Sequence, residues 1–230
     1  MLETTVATVN GNEVSFSETI AYSFSGGQES DKATINKMSI LDSRIEDNNI
    51  YYLLAEWHGL TTGDQVTMEI DWTRRSKLMR LHFACELVLV IVNRLFGNKA
   101  NGDELKPEEI DNLGIVKIGA HIAEHKARID FSLNENIATK FDQILSEYNK
   151  VIKADMPIEK DFSDEANQVR YWKIRGLATV PCGGTHVKST AEVGFIKLKR
   201  ERNGKNVERV YITLDDPLLG SSRHSHFNLG

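Results

Sequence analysis

The chain has 230 residues, of which 40% are hydrophobic and 27% charged, and its net charge is −5. This composition excludes a globally disordered protein and suffices for one large or two small domains with a sizeable core. The longest apolar run, residues 87–92, is far shorter than the ~20 residues that span a bilayer, so we expect no membrane segment. The N-terminus has neither a basic start nor an apolar stretch, and two cysteines do not make a disulfide scaffold. We therefore expect a cytoplasmic protein.

Residues 1–71 have the pattern of a β-rich domain. In residues 6–16, Asn10-Gly11 lies between apolar residues, which is a strong hairpin signal. Three further short strands are predicted, at residues 33–40, 50–57 and 65–70. A glycine-rich segment, residues 25–28, lies between the hairpin and these three strands. Because several short strands with frequent turns are typical of a small barrel, we predict a β-barrel-like N-terminal domain.

The pattern then becomes helical. Over residues 74–96, apolar side chains recur at three- and four-residue spacing, and Asp71 or Thr73 can cap the start of the helix. The other predicted elements are a helix at residues 135–152 and two hairpins, at residues 117–123 with 126–133 and 193–200 with 207–214. We predict an α/β domain over residues 72–215 and a loosely ordered tail at 216–230. The fold class of the whole chain is then α+β.

Four side chains that bind metals occur as two pairs at i and i+4. His82 and Glu86 lie one turn apart on the predicted helix, so both can reach one ion. Cys182 and His186 bracket two glycines, which let the backbone turn tightly around an ion. A set that includes sulfur and imidazole favours Zn²⁺ over Mg²⁺ or Ca²⁺. We therefore predict one zinc site made of both pairs.

Each pair also has a simpler interpretation. A His-x3-Glu pair on a helix is commonly a polar pair at the edge of a core, and Cys-Gly-Gly-Thr-His is compatible with a turn between two strands. His121 and His125 repeat the same spacing, but their neighbours alternate as in a strand, where such positions lie about 13 Å apart. We treat both as structural or surface residues, with His121 as a reserve ligand.

Three stretches carry a resemblance to a known family. The strongest is residues 181–187 (PCGGTHV), followed by Thr190, Glu192 and Gly194. The others are residues 71–75 (DWTRR) with 78–82 (LMRLH), and the glycine-rich residues 22–31. With these motifs the chain resembles, over nearly its whole length, the AlaX family, freestanding relatives of the alanyl-tRNA synthetase editing domain. The resemblance implies zinc at His-x3-His plus Cys-x3-His, and hydrolysis of serine or glycine wrongly esterified to the alanine tRNA.

The sequence departs from the family pattern at three positions. Glu86 stands where a second helical histidine is usual, Ser25 replaces a glycine, and Glu29 replaces a proline. Because glutamate is a competent zinc ligand, Glu86 is predicted either to bind the ion or to act as a general base beside it. Gln28 is predicted to orient the ester or the terminal ribose, and Thr185 to contact the substrate side chain. The simpler role for both is to satisfy hydrogen bonds within their turns.

Basic residues are concentrated in two segments although the net charge is negative. The first group, here called the helix cations, consists of Arg74, Arg75, Lys77 and Arg80. The second group, the strand cations, consists of Lys197, Lys199 and Arg200. Positive charge at a helix N-terminus opposes the macrodipole by a few tenths to ~1 kcal/mol, which indicates a role besides folding. We predict that both groups bind phosphates of the tRNA acceptor end, the alternative being a solvated basic face paired with carboxylates.

The function predicted from the sequence is therefore a zinc-dependent hydrolase that deacylates mischarged tRNA-Ala in trans. One alternative is a tRNA-binding module whose metal site is structural or lost and which hydrolyses nothing. The other alternative is a zinc hydrolase of small esters or amides, which would not need the basic segments.

Overall fold

The structure is a computed structural model that describes residues 1–97, 104–106, 115–166 and 169–215. Within these residues the fold is mostly β-sheet, with two α-helices and two short 3₁₀ helices. The helices are α1 (Trp72–Phe96), α2 (Phe141–Lys153) and the 3₁₀ segments Ile137–Lys140 and Ala191–Val193. The strands are β1 (Leu2–Asn10), β2 (Glu13–Phe16), β3 (Ala33–Ile35), β4 (Met38–Ser39), β5 (Asp42–Glu46), β6 (Asn49–Leu53), β7 (Gln65–Ile70), β8 (Val116–Ile122), β9 (Ala127–Ser132), β10 (Glu159–Asp164), β11 (Val169–Ile174), β12 (Ala178–Pro181), β13 (Ile196–Arg202) and β14 (Val207–Leu214). The predicted tail, residues 216–230, lies outside the described residues.

The first seven strands form one sheet in the order β4-β3-β7-β1-β2-β6-β5. β1 and β2 make the predicted hairpin, in which Asn10 pairs with Glu13 and Gly11 adopts a φ of 60°. Because β1 pairs with β7 along its first half and with β2 along its second, the sheet curls into a half-barrel. This sheet has its own core, which includes Val6, Val14, Ile35, Tyr52 and Met68. The strand β5 was not predicted from the sequence.

The long helix α1 begins and ends with standard caps. The side chain of Asp71 accepts a hydrogen bond from the backbone N–H of Arg74 at 3.0 Å, which confirms one of the two predicted caps. Between residues 81 and 92 every side chain but that of Glu86 is buried. A helix that is apolar all round belongs inside a protein, and α1 contacts β8, β9, β14 and α2. No helix within the described residues is long and apolar enough to cross a membrane.

Two antiparallel sheets complete the described part of the chain. One has four strands in the order β13-β14-β9-β8 and contains both predicted hairpins. The other, β10-β11-β12, has three strands and was not predicted. Because the named strands here pair antiparallel, the description of this part as α/β is too specific, and α+β is the better term.

The glycine-rich loop connects the half-barrel to β8. Ile122 N–H donates to the carbonyl of Gly27 at 2.8 Å, and Glu29 N–H donates to the carbonyl of Ile122 at 3.0 Å. Gly27 has a φ of +84°, and a Cβ at this position would lie 2.5 Å from the carbonyl oxygen of Ala120. Only glycine fits this approach. The predicted domain boundary falls at Asp71, between the two cores, and the division into separate domains stays a prediction.

Candidate metal centre

Three of the four predicted ligands converge although 100 residues separate the two pairs. His82 lies on α1, and Cys182 and His186 lie on the segment after β12. His82 Nε2 is 3.1 Å from Cys182 Sγ, and the imidazoles of His82 and His186 meet edge to face with centroids 5.0 Å apart. One ligand atom from each of the three residues lies within 4.8 Å of the others. This geometry brings two nitrogens and one sulfur to a single point.

Gly184 allows this convergence. A Cβ on Gly184 would lie 2.2 Å from Cε1 of His82 and 2.7 Å from its Nε2, so the backbone packs directly on the imidazole ring. A Cβ on the neighbouring Gly183 would meet no atom within 4 Å. The two glycines of the motif therefore have different roles, and only Gly184 is required for contact with the ring.

Burial fixes the protonation of the three side chains. It lowers the pKa of His82 to about 4 and that of His186 to about 3, so both imidazoles are neutral at pH 7. Burial also raises the pKa of the Cys182 thiol to about 12. His82 Nδ1 and His186 Nε2 are buried and have no hydrogen-bond partner within the described part of the chain. Two neutral imidazoles, each with a buried nitrogen that lacks a partner, and one thiol form a donor set that fits zinc.

Glu86 lies at the edge of this group. Its Oε1 is 3.8 Å from His82 Nε2, and its Oε2 accepts a hydrogen bond from Trp172 Nε1 at 3.5 Å. Burial raises the pKa of this carboxyl group. Glu86 is not among the three side chains whose ligand atoms share the 4.8 Å distance. Its role as fourth ligand or as general base stays a prediction.

Gln28 and Thr185 contact each other beside the metal ligands. Gln28 Nε2 donates to Thr185 Oγ1 at 2.9 Å, and Thr185 N–H donates to Gln28 Oε1 at 3.2 Å. Gln28 is completely buried. The glycine-rich loop therefore reaches the segment of Cys182 and His186. His121, the reserve ligand, lies outside the group, with its Nε2 3.7 Å from Glu29 Oε1.

A cavity of about 290 Å³ opens over the metal ligands. Its walls include Cys182, Gly184, Thr185 and His186 on one side and β10 and β11 on the other, with Lys160, Phe162 and Arg170 among the lining residues. This second wall was not predicted from the sequence. The β-branched and aromatic residues of β11 (VRYWKI) were the available signal.

The helix cations make ion pairs and hydrogen bonds within the protein. Arg74 pairs with Glu29 at 2.7 Å and Glu124 at 3.0 Å, and Lys77 pairs with Glu124 at 3.1 Å. Arg75 pairs with the buried Asp31. Arg80 Nε donates to the carbonyl of Val193 at 2.9 Å. These contacts favour the alternative role, pairing with carboxylates, and RNA binding by the helix cations stays a prediction.

The strand cations lie on β13. Lys197 is exposed and pairs with Asp215 at 2.6 Å, and Arg200 makes a bidentate ion pair with Glu208. Lys199 is exposed beside Lys197 on the rim of a cavity of about 310 Å³. Of this group, Lys197 and Lys199 are accessible to a phosphate, and their role in RNA binding also stays a prediction.

Comparison with known proteins places this geometry in a family. Residues 169–211, which include β11, β12 and the Cys182 to His186 segment, match the family model of the threonyl and alanyl tRNA synthetase second additional domain. The chain is 31% identical to the alanyl-tRNA editing protein AlaX-M of Pyrococcus horikoshii, over 91% of this chain and 90% of the relative. The chain belongs to the AlaX-M family. A second AlaX-M protein, from Methanosarcina barkeri, is 29% identical over 93% of this chain and 94% of its own length.

The same region also occurs within larger proteins. An alanine–tRNA ligase of Methanococcus maripaludis is 27% identical over 84% of this chain, which corresponds to 22% of the ligase. The two AlaX-M relatives above, in contrast, match over 90% and 94% of their own length. The family membership confirms the resemblance that the sequence motifs indicated.

Proposed function

We propose that this protein is a trans-editing hydrolase that removes serine or glycine from mischarged tRNA-Ala at a zinc site. The observation that carries the proposal is the convergence of His82, Cys182 and His186 beneath an open cavity. Membership of the AlaX-M family supports the reaction, because several relatives are named alanyl-tRNA editing proteins. A cytoplasmic location, where charged tRNA is found, is part of the same proposal.

His82, Cys182 and His186 would hold the ion, and Glu86 would complete the site. Bound zinc supplies polarisation of an ester carbonyl or activation of a water molecule. Glu86 lies near enough to His82 to be a fourth ligand or to accept a proton from a water beside the site. The hydrogen bond from Trp172 Nε1 orients the Glu86 side chain in either role.

Gln28 and Thr185 would position the substrate. The Gln28 amide extends from the glycine-rich loop to Thr185, which lies on the segment of Cys182 and His186 and lines the cavity. Serine differs from alanine by a single hydroxyl, so size alone discriminates poorly and polar contacts must reject alanine. We propose that the Thr185 hydroxyl contributes to this recognition.

The exposed strand cations would hold the body of the tRNA. Lys197 and Lys199 lie on the outer face of the four-stranded sheet, where a phosphate can displace the exposed pair of Lys197 with Asp215. The helix cations would contribute less, because carboxylates or backbone carbonyls of the protein already bind them.

The test is deacylation measured together with metal content. Zinc-loaded protein is incubated with tRNA-Ala charged with serine, glycine or alanine, and the loss of each ester is followed. We expect loss of serine or glycine and retention of alanine. Cys182→Ala should lose both zinc and activity, and the control Cys85→Ala should keep both, because Cys85 lies outside the metal group.

Two results would contradict the proposal. Binding of tRNA by zinc-loaded protein without deacylation would support the tRNA-binding module. Hydrolysis of small esters with no preference for the charged tRNA would support the small-molecule hydrolase.

A further inference from the structure

The three-stranded sheet places a row of side chains that leads to the metal centre. Phe162 on β10 pairs with Arg170 on β11, and the N–H of Cys182 donates to the carbonyl of Arg170 at 2.9 Å. Residues opposite one another in an antiparallel sheet present their side chains on the same face. Phe162 and Arg170 therefore share a face with the metal ligand Cys182. Lys160, two residues before Phe162, lies on this face as well.

The two cations of this row lie close to the metal ligands. Lys160 Nζ is 3.4 Å from the carbonyl oxygen of His186, and the guanidinium of Arg170 donates to the carbonyl of Gly183. Both side chains are exposed and line the cavity. Within the described part of the chain neither makes an ion pair with a carboxylate, unlike most of the helix and strand cations. Two exposed cations at the entrance of a site attract an anion.

Phe162 adds an aromatic surface to the same entrance. Phe162 is 38% exposed and lines the cavity, so its ring is accessible from the entrance. A positive groove with an exposed aromatic ring is the combination that binds single-stranded nucleic acid, through phosphates on the cations and a base stacked on the ring. Asp161 also lines the cavity, but alternation along β10 directs its side chain to the opposite face.

We propose that Lys160, Arg170 and Phe162 bind the 3′-terminal nucleotide of the tRNA, with the cations on its phosphate and the phenyl ring against its base. This inference rests on the proposed function, which places the ester of the terminal ribose at the metal centre. The ribose joins the ester to both the phosphate and the base, so all three must lie within one nucleotide of Cys182. Among the described residues of this row they are the exposed ones, since Trp172, which pairs with Lys160, is buried.

Binding of a short RNA tests the proposal without catalysis. The probe is a fluorescently labelled single-stranded RNA that ends in CCA, and its anisotropy is measured with zinc-loaded protein at several salt concentrations. Lys160→Met and Arg170→Gln should each weaken binding several-fold and reduce the salt slope by about 0.7 for each lost phosphate contact. Phe162→Ala should weaken binding roughly 5- to 150-fold, the range of one base stacked on an aromatic ring.

Matched controls come from the same hairpin. Lys173 lies on β11 and pairs with Glu104, and Arg175 lies directly after β11 and pairs with Glu159. Neither residue lines the cavity. Lys173→Met and Arg175→Gln should leave the affinity and the salt slope unchanged. Equal losses in the control variants, or no loss in the three cavity variants, would overturn the proposal.

Deacylation separates this inference from the proposed function. If the wild-type protein does not deacylate mischarged tRNA but the CCA probe still depends on the three residues, the proposed function fails and the docking surface stands. If the wild-type protein deacylates and the variants act with unchanged kcat/KM, the docking surface is overturned. A purely structural role of Arg170 would show as lost zinc and lost hydrolysis of serine methyl ester, whereas docking predicts that both are kept.

Discussion

The missing side chain at Gly184 sets the position of His82. The backbone of Gly184 lies against the imidazole ring, where any Cβ would overlap Cε1, Nε2 and Nδ1. The ring is buried, so it has no open space to move into. The ligand geometry thus depends on close packing as much as on the identity of the ligands.

Gly184→Ala should therefore disrupt the metal centre. The added methyl group must displace His82, and we expect zinc affinity to fall at least tenfold, as it does when the support of a ligand is lost. Gly183→Ala is the matched control and should bind zinc normally, because its Cβ meets no atom. Zinc affinity is measured by competition with a chromophoric chelator, and equal effects of both substitutions would contradict the packing argument.

The buried histidines also predict how acid affects the metal-free protein. Folding lowers the pKa of His186 from 6.5 to about 3, so the folded state binds fewer protons than the unfolded state between these values. The stability contributed above pH 6.5 is then lost as the pH falls, by about 2 kcal/mol between pH 7 and pH 5. The His186→Gln variant should lose about 2 kcal/mol less folding stability than the wild-type protein between pH 7 and pH 5. Urea denaturation in the presence of a chelator measures both proteins, and parallel pH curves would contradict the prediction.

Ion pairs and hydrogen bonds at the N-terminal end of α1 connect the helix to the glycine-rich loop. Arg74 and Arg75 reach the loop residues Glu29 and Asp31, and Arg75 also donates to the carbonyl of Ile20 at 2.6 Å. Asp31 accepts a further bond from the backbone N–H of Tyr22 at 2.7 Å. The positive charges that oppose the helix macrodipole are thus explained by partners within the protein.

Arg75→Met should destabilise the fold. Asp31 is 1% exposed, and removal of its partner leaves a buried carboxylate unpaired, which typically costs about 3 kcal/mol or more. Arg44→Met is the control, because the pairs of Arg44 with Glu13 and Glu46 are exposed and should change stability much less. Both are measured by urea denaturation. If Arg75→Met keeps wild-type stability and loses tRNA affinity, the original RNA-binding prediction is correct instead.

The elements that the sequence identified have strong local signals. The apolar spacing and the cap at Asp71 predicted α1, and the Asn-Gly pairs at residues 10–11 and 203–204 indicated two of the hairpins. The sheet β10-β11-β12 was missed because β10 (EKDFSD) has mostly exposed, charged residues, and its alternation is therefore weak. The ligands on α1 and after β12 were found from spacing, but the cavity wall depends on strand register, which a single sequence does not set.

Several polar contacts join the parts of the molecule that hold the two cores, and one of them lies beside the metal centre. The half-barrel packs around Val6, Tyr52 and Met68, and α1 belongs to the second, larger core. The glycine-rich loop lies between them, fixed to β8 by backbone hydrogen bonds. The buried side chain of Gln28 extends from this loop to Thr185. A change in the first core can therefore reach the site through this contact.

The contact of Gln28 with Thr185 predicts strong coupling in a double-mutant cycle. Gln28→Met and Thr185→Val remove the polar atoms at nearly constant volume, and each should lower kcat/KM for the mischarged tRNA at least tenfold while zinc content is unchanged. The double variant should be no worse than either single variant, because one interaction is lost in all three, and the coupling energy in unfolding should be about 1 kcal/mol. If the two effects on kcat/KM simply multiply, Gln28 and Thr185 act separately. The glycine-rich loop would then have only a structural role, and the substrate would have to be positioned by the cavity wall that β10 and β11 form.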